Sequence, residues 1–327
     1  MTDMVTAADE SPVHPVTRRR GRRVIAWALV TCWFLWAVAR LAGADRLPFL
    51  SPVLIPAMAV VPYAAAGVAV PLAVAALTRN WVAFAAALAV AALFAGIVLP
   101  RAFGGARPHA SGPELRILTA NLRFGAAGDA TLVDLVRRTR ADVLSVQEFT
   151  PEAAQRLDQA GLGRLLPYKV IDPRRGPEGS GLYARFPLTP LLARGPTTFA
   201  MPSATLAVPG AAPVRLTAVH PPAPVGPDIR TWAHDLGEIP PATPDGQVGI
   251  VAGDFNASLD HARLRGLIDG GYVDAADRAG QGLVPTFRSP ITIDHVLADK
   301  RCAVRRVKVY SQPASDHRAL LAELRLP

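Results

Sequence analysis

Hydrophobic positions are distributed in two different ways along this chain. Between residues 24 and 99 they run almost without interruption, and beyond residue 113 they recur in short bursts separated by Pro, Gly or Asp. In the first regime, Val24 to Ala39 carries no charge and is closed by Arg40. Leu47 to Thr78 is uncharged, and so is Asn80 to Pro100. A helix needs about 20 apolar residues to cross a bilayer. The pattern therefore predicts a membrane region over 24–100 with three spans, at 24–42, 52–77 and 80–99. Pro48, Pro52, Pro56, Pro62 and Pro71 predict a kinked middle span, with a re-entrant turn within 47–78 as the alternative.

Residues 1–23 form a basic tail, expected to be disordered, that ends in the run RRRGRR at 18–23. Arginines beside a first span are retained in the cytoplasm. Three spans then place everything after Pro100 on the extracytoplasmic side of the cell membrane. A cleaved signal peptide is the competing reading of the first stretch. It is disfavoured because two more apolar stretches follow and no small-residue cleavage site closes the first.

The second regime opens with RAFGGARPHASGP, residues 101–113, whose Gly/Pro content predicts a linker. A separate domain is expected over 114–327. LRILTAN alternates as a strand. DATLVDLVRRT places Leu132, Leu135 and Val136 on one helical face, with Asp129 as its cap. VLSVQ predicts a buried strand, and PEAAQRLDQAG a short helix ending at Gly161. Thereafter YKVID, SGLYAR, ATLAV, VRLTAVH, QVGIVAGDF, TIDHVLA, RRVKVYS and ALLAELRL predict strands, and DIRTWAHDLGEI predicts a helix.

Composition adds little beyond this. Half of the 327 residues are hydrophobic, which fits membrane segments. The net charge of +9 suits phosphate-bearing partners but follows equally from an Arg-rich sequence. Cys32 and Cys302 define no disulfide framework. The apolar stretches hold almost no polar groups from which a transport pathway could be built.

More informative are the polar residues that close the strands: Asn121, Glu148, His220, Asp254, Asn256, Asp294 and the pair Asp316–His317. Singly, each reads as turn chemistry or a rim ion pair. A carboxylate next to buried apolar residues is costly unless it is paired or coordinated. In order, the segments are TANL, VQE, GSGLYAR, AVH, GDFN, TIDH and SDH. That series resembles the endonuclease/exonuclease/phosphatase superfamily, over roughly residues 115–326.

The resemblance implies an α/β fold, a four-layered sandwich of two mixed sheets flanked by helices, here preceded by a helical transmembrane region. It implies hydrolysis of a phosphoester by in-line attack of water, assisted by Mg²⁺ (or Mn²⁺ or Ca²⁺). By resemblance, Glu148 is the expected principal metal ligand, since hard cations take carboxylate oxygens; Asn121 is its expected neighbour in the metal shell or a group that orients the site, and Asp316 is expected to bind the metal directly or through water. Asp254 is the expected activator of water. His317, oriented by Asp294, and His220 are the expected partners of the phosphate. Asn256, two residues after Asp254 along what reads as an extended segment, would donate to a phosphate oxygen. Arg123 stands where nucleases of the superfamily commonly carry an acid, and it would contact the substrate instead. His295 is expected to hydrogen-bond locally.

Expected partners are the membrane and a phosphoester: a lipid head group, an envelope phosphodiester or nucleic acid. The leading expectation is a membrane-anchored phosphodiesterase or phosphatase. An extracytoplasmic nuclease is the alternative, and a non-catalytic membrane scaffold or sensor a further one. The basic runs DPRRG and DKRCAVRRVK are not interleaved with the stacking aromatics that single strands require.

Overall fold

The computed structural model describes residues 15–106, 108–242 and 246–327. Residues 1–14 of the expected disordered tail lie outside it. The described residues form two compact units: residues 15–38 with 62–97, and residues 39–61 with 98–327.

The first unit is helical. Helix Pro15–Ala42 already contains the basic run 18–23, which was expected in unstructured chain. Trp33 Nε1 donates to the Ala64 carbonyl at 2.9 Å. Ala26, Ala75 and Ala83 are buried together, small side chains that let helices approach closely. Two helices, Arg20–Ala42 and Trp81–Phe103, are long and apolar enough to cross a membrane. The pair Ser51–Ala59 and Val61–Leu77 would add a third only if it counts as one broken span. Its first half belongs to the second unit.

Among its described residues, the second unit contains twelve strands: β1 (Glu114–Asn121), β2 (Val143–Gln147), β3 (Tyr168–Asp172), β4 (Ser180–Ala184), β5 (Leu188–Leu191), β6 (Ser203–Leu206), β7 (Val214–Val219), β8 (Val248–Asp254), β9 (Tyr272–Asp274), β10 (Asp294–Asp299), β11 (Ala303–Ser311) and β12 (Arg318–Arg325). They make two six-stranded sheets, ordered β11-β12-β1-β2-β4-β3 and β5-β6-β7-β8-β10-β9. Both are mixed: β1 runs parallel to β2 and β7 parallel to β8, and the other pairs are antiparallel.

The alternation read from the sequence decides which faces meet. Leu115, Ile117, Leu216, Ile250 and Val296 fill the core between the sheets. Leu118, Leu144 and Phe149 face outward, onto Leu132 and Val136 of helix Asp129–Thr139 and Leu157 of helix Pro151–Gln159. Val251 and Leu297 face the other way, onto Trp232 of helix Asp228–Gly237 and Leu264 of helix Ala262–Asp269. Helices, sheet, sheet and helices make the four expected layers.

Asp129 does not cap its helix as expected. Gly128 is the N-cap and makes no side-chain bond, while Asp129 accepts from Arg156 Nε at 2.6 Å.

Residues 39–61 are part of this outer helical layer. Ile55 of helix Ser51–Ala59 is buried with Trp232 and Phe255. Asp45 Oδ2 accepts from Ala262 N at 2.8 Å, satisfying a free donor at the start of helix Ala262–Asp269. The Met58 carbonyl has no helical donor four residues on, because that residue is Pro62. Ser258 Oγ supplies one at 3.2 Å. Arg101, within the expected linker 101–113, is buried and forms a two-pronged ion pair with Asp260 at 2.6 and 2.8 Å. Arg40 joins the same carboxylate at 2.9 Å.

Candidate active site

Register brings the polar strand ends to one edge. The parallel pair β1–β2 sets Asn121 beside Gln147, so Glu148 follows at the same level. In the other sheet, Asp254 and Asp294 are direct partners across β8–β10. β7 runs parallel to β8 with Val219 opposite Gly253, which sets His220 beside Asp254. β12 is antiparallel to β1, so its first residue returns to the end where Asn121 lies, carrying His317 just ahead of it.

Gly253 is a packing requirement rather than a turn residue. A Cβ there would lie 2.0 Å from the Val219 carbonyl oxygen. Only glycine lets the strands carrying His220 and Asp254 lie so close.

Asp254 is the hub, and only 2% exposed. Its Oδ2 accepts from Asn121 Nδ2 at 3.1 Å and faces His317 Nε2 at 3.6 Å and His220 Nε2 at 3.8 Å. Its Oδ1 accepts from Asn256 N at 2.8 Å. The two imidazoles stop short of hydrogen-bond distance. All three side chains line a cleft, from which a water or a phosphoryl oxygen could approach them.

His317 is held from behind by Asp294, with Nδ1 2.9 Å from Oδ2 and 3.2 Å from Oδ1. Burial by itself would lower the His317 pKa. Asp294 and Asp254 outweigh it and push the value up to about 10, so the ring is an imidazolium at neutral pH. His220 moves the other way, lowered chiefly by burial against a partial opposing pull from Asp254. One imidazole is thus a cation and its neighbour is neutral.

Glu148 accepts from Asn121 Nδ2 at 3.0 Å and from Phe124 N at 2.8 Å. Burial raises its pKa, and Asp254 adds to the rise. Asn121 therefore spans two carboxylates with one amide nitrogen, while its Oδ1 accepts from Arg123 N at 2.9 Å. Asn121 thus bridges the two acids.

Asn256 departs from the expected extended geometry. It has φ 47°, so the chain turns after Asp254 rather than continuing extended, and its Nδ2 donates to the Pro221 carbonyl at 3.1 Å. Asp316 is half-buried on the same cleft, with Oδ1 3.8 Å from Arg123 Nε on the exposed rim. His295 bonds locally as expected, to Asp274 Oδ2 at 2.7 Å and to the Ala257 carbonyl at 2.8 Å. Both ring nitrogens face acceptors, which keeps it protonated and agrees with its raised pKa, where Asp274 overcomes burial.

The site stores backbone strain. Arg123, Phe124, Glu148 and Asn256 all have φ between 46° and 53°, the left-handed region that costs non-glycine residues about 1 kcal/mol or more each.

Sequence patterning missed the residues that fix these elements from outside. Thr286 Oγ1 accepts from Asp294 N at 3.0 Å and from Ile293 N at 3.1 Å, and its carbonyl accepts from Arg318 N at 2.7 Å. It pins the starts of β10 and β12 together. Ser315 Oγ donates to the Asn121 carbonyl at 2.9 Å and accepts from His317 N at 3.1 Å. Phe287 lies against His317 with ring centroids 4.7 Å apart.

These groups open into a cleft of about 610 Å³. Glu148, Asp228, Asp254 and Asp316 line it, and no Lys or Arg does among the described residues. Among the described residues, ligating atoms of Asp254, Asp294 and His317 lie within 4.8 Å of one another. Within this set Asp294 holds the His317 ring beside Asp254. The remaining carboxylates still exceed the cationic charge of the cleft. Hard oxygen donors in excess fit a divalent cation such as Mg²⁺.

Comparison with known proteins agrees with this architecture. The sequence profile of the Endonuclease/Exonuclease/phosphatase family matches residues 118–317. The fold is similar to that of an endonuclease/exonuclease/phosphatase from Beutenbergia cavernae DSM 12333, at TM-score 0.51 and 17% identity, covering 65% of this chain and 72% of that one. It is similar to a family protein from Bacteroides thetaiotaomicron, at TM-score 0.51 and 16% identity, covering 67% and 97%. It is similar also to D. rerio TDP2 complexed with single strand DNA product, at TM-score 0.51 and 15% identity, covering 64% and 98%. No curated protein matches the chain.

Proposed function

The chain belongs to the endonuclease/exonuclease/phosphatase family, whose members are metal-dependent phosphoesterases and nucleases, and from that premise we propose that it is a membrane-anchored phosphoesterase acting on the extracytoplasmic side. The observation that carries the reading is the arrangement around Asp254: an acid with an imidazolium and a neutral imidazole facing it.

In this reading Asp254 orients the attacking water and takes its proton, since the raised pKa of a buried acid makes it a better base. His317, kept cationic and fixed in direction by Asp294, donates through Nε2 to the phosphoryl oxygen that gains charge. His220 donates beside it, and Asn256 keeps Asp254 aligned through its backbone N–H. Glu148 and Asp316 would hold the divalent cation, with Asn121 positioning Glu148 and Arg123 at the rim meeting the rest of the ester. When bound, the ion supplies Lewis-acid neutralisation of the phosphate charge.

The orientation rests on the path of the chain. Residues 62–97 leave the second unit and return to it, while Arg18–Arg23 begins the first long helix. Arginines on the cytoplasmic side leave the second unit outside.

A nuclease is the second reading, favoured by the single strand DNA product bound to D. rerio TDP2. No Lys or Arg lines the cleft among the described residues, which weighs against it, because backbone phosphates are held chiefly by such cations.

The test is hydrolysis of bis-p-nitrophenyl phosphate, p-nitrophenyl phosphate and single-stranded DNA by the full chain in amphipol, with Mg²⁺, Mn²⁺ or EDTA. Turnover that needs the metal and is lost in His317→Ala is expected; metal-independent turnover, or an active His317→Ala, refutes the mechanism. An alkaline phosphatase fused after Pro327 should be active, and a fluorescent cytoplasmic reporter there would reverse the orientation.

A further inference from the structure

The cleft has a polar floor and an apolar wall. Glu148, Asp254 and His317 lie on the floor, while Pro56, Ala59, Phe124 and Val225 form much of the wall. Phe124 and Val225 are 58% and 71% exposed and lie together on this cleft. Phe124 is also held in the left-handed region at φ 53°, and its N–H holds Glu148 Oε2. The backbone that fixes the carboxylate thus keeps an apolar ring at the lip.

Pro56 and Ala59 come from outside the family-matched region, on helix Ser51–Ala59. Several bonds fix that helix in place. Ile55 and Met58 are buried beneath it. His261 Nδ1 accepts from Ser258 N at 2.9 Å, so its Nε2 carries the proton and donates to the Ile55 carbonyl at 3.0 Å. Apolar character continues along the same segment: Phe49 and Val53 are 77% and 72% exposed. The segment directly follows a helix long and apolar enough to cross a membrane.

A free phosphate or a polar ester would leave this wall against water. We infer that the cleft takes the phosphate ester of a membrane lipid, and that helix Ser51–Ala59 is its specificity element. The phosphate sits on the floor, and the first methylenes of the lipid chain lie over Pro56, Ala59, Phe124 and Val225. This rests on the phosphoesterase reading above.

The test uses the full chain in amphipol with Mg²⁺ and two monodisperse esters, p-nitrophenyl methyl phosphate and p-nitrophenyl octyl phosphate. Two or more methylenes laid on the wall raise kcat/KM for the octyl ester by about 10-fold or more over the methyl ester. Ala59→Asp and, on a separate loop, Val225→Ser each reduce that ratio several-fold, so a folding defect in the first leaves the second decisive. Equal kcat/KM for the two esters, a ratio that neither variant changes, or a preference for an oligonucleotide over the octyl ester overturns the inference while leaving the hydrolase reading in place. If neither diester turns over, calorimetric binding of octylphosphonate against methylphosphonate decides the wall independently of the hydrolase reading. Binding of the octyl compound about 10-fold more tightly supports it, and equal binding overturns it.

Discussion

Two carboxylates on neighbouring stretches of the second unit, Asp254 and Asp260, are buried to the same depth and put to opposite uses. Asp260 is fully buried and meets two guanidiniums, Arg101 and Arg40. Burial alone would raise its pKa, but the arginines outweigh that and hold it low. Asp254 meets an amide, a backbone N–H and two imidazoles that stop short of contact, and its pKa is raised by burial. The imidazoles follow the same division. His261 is neutral, lowered by burial, and joins one backbone to another. His317 is cationic and faces the cleft. A buried acid neutralised by arginine is a clamp. A buried acid left short of positive charge is prepared for a cation and a phosphate.

That contrast can be broken from either side. The largest effect is expected from His317→Ala, which should lower kcat on p-nitrophenyl esters roughly 10²–10⁴-fold and, because it leaves the buried Asp294 without its cation, also lower the melting temperature; a folded variant that keeps full kcat would make the ring a clamp after all. Arg101→Ala should cost stability and leave kcat unchanged. It strands a buried carboxylate, costing about 3–5 kcal/mol in denaturant unfolding, while Asp260→Leu combined with Arg101→Met should recover much of that loss.

Asp294→Asn should cost less in kcat and instead move the pH profile. His317 has a raised pKa, so the ion pair stabilises fully below the ordinary histidine value near 6.5 and is lost as pH rises through about 10. Without Asp294 the alkaline loss of activity and of melting temperature should begin at lower pH, and unchanged profiles would remove Asp294 from its orienting role. Smallest is Ser258→Ala, which leaves the Met58 carbonyl without its donor and should cost about 1 kcal/mol.

Much of the fold was legible because alternation is a local signal. The strands predicted at VRLTAVH, QVGIVAGDF and TIDHVLA are β7, β8 and β10. β5, with its Pro190, and the three-residue β9 carry no such pattern. They exist because β6 and β10 offer them an edge. The polar strand ends were legible for a related reason, since Glu148, Asp254 and His317 interrupt apolar runs where burial is costly. Thr286 and Ser315 gave no such signal. Their work is done by bonds to backbone atoms of distant strands, and in sequence a Thr or Ser in a loop is unremarked.

Residues 39–61 mark the boundary between the two kinds of knowledge. The sequence by itself determined that this segment is apolar and uncharged from Leu47 onward, that arginines flank the first long helix, and that seven polar motifs follow in order. It could not determine what the apolar surface of Ser51–Ala59 faces, because lipid tails and a Trp232 side chain make the same demand on an alanine or an isoleucine. Only the tertiary structure placed Ile55 against Trp232, and Pro56 and Ala59 on the cleft above Glu148. Hydrophobicity specifies that a surface leaves water, whereas the partner it leaves water for is set by which buried donors and acceptors, here Ser258, His261 and Asp45, are positioned to receive its backbone.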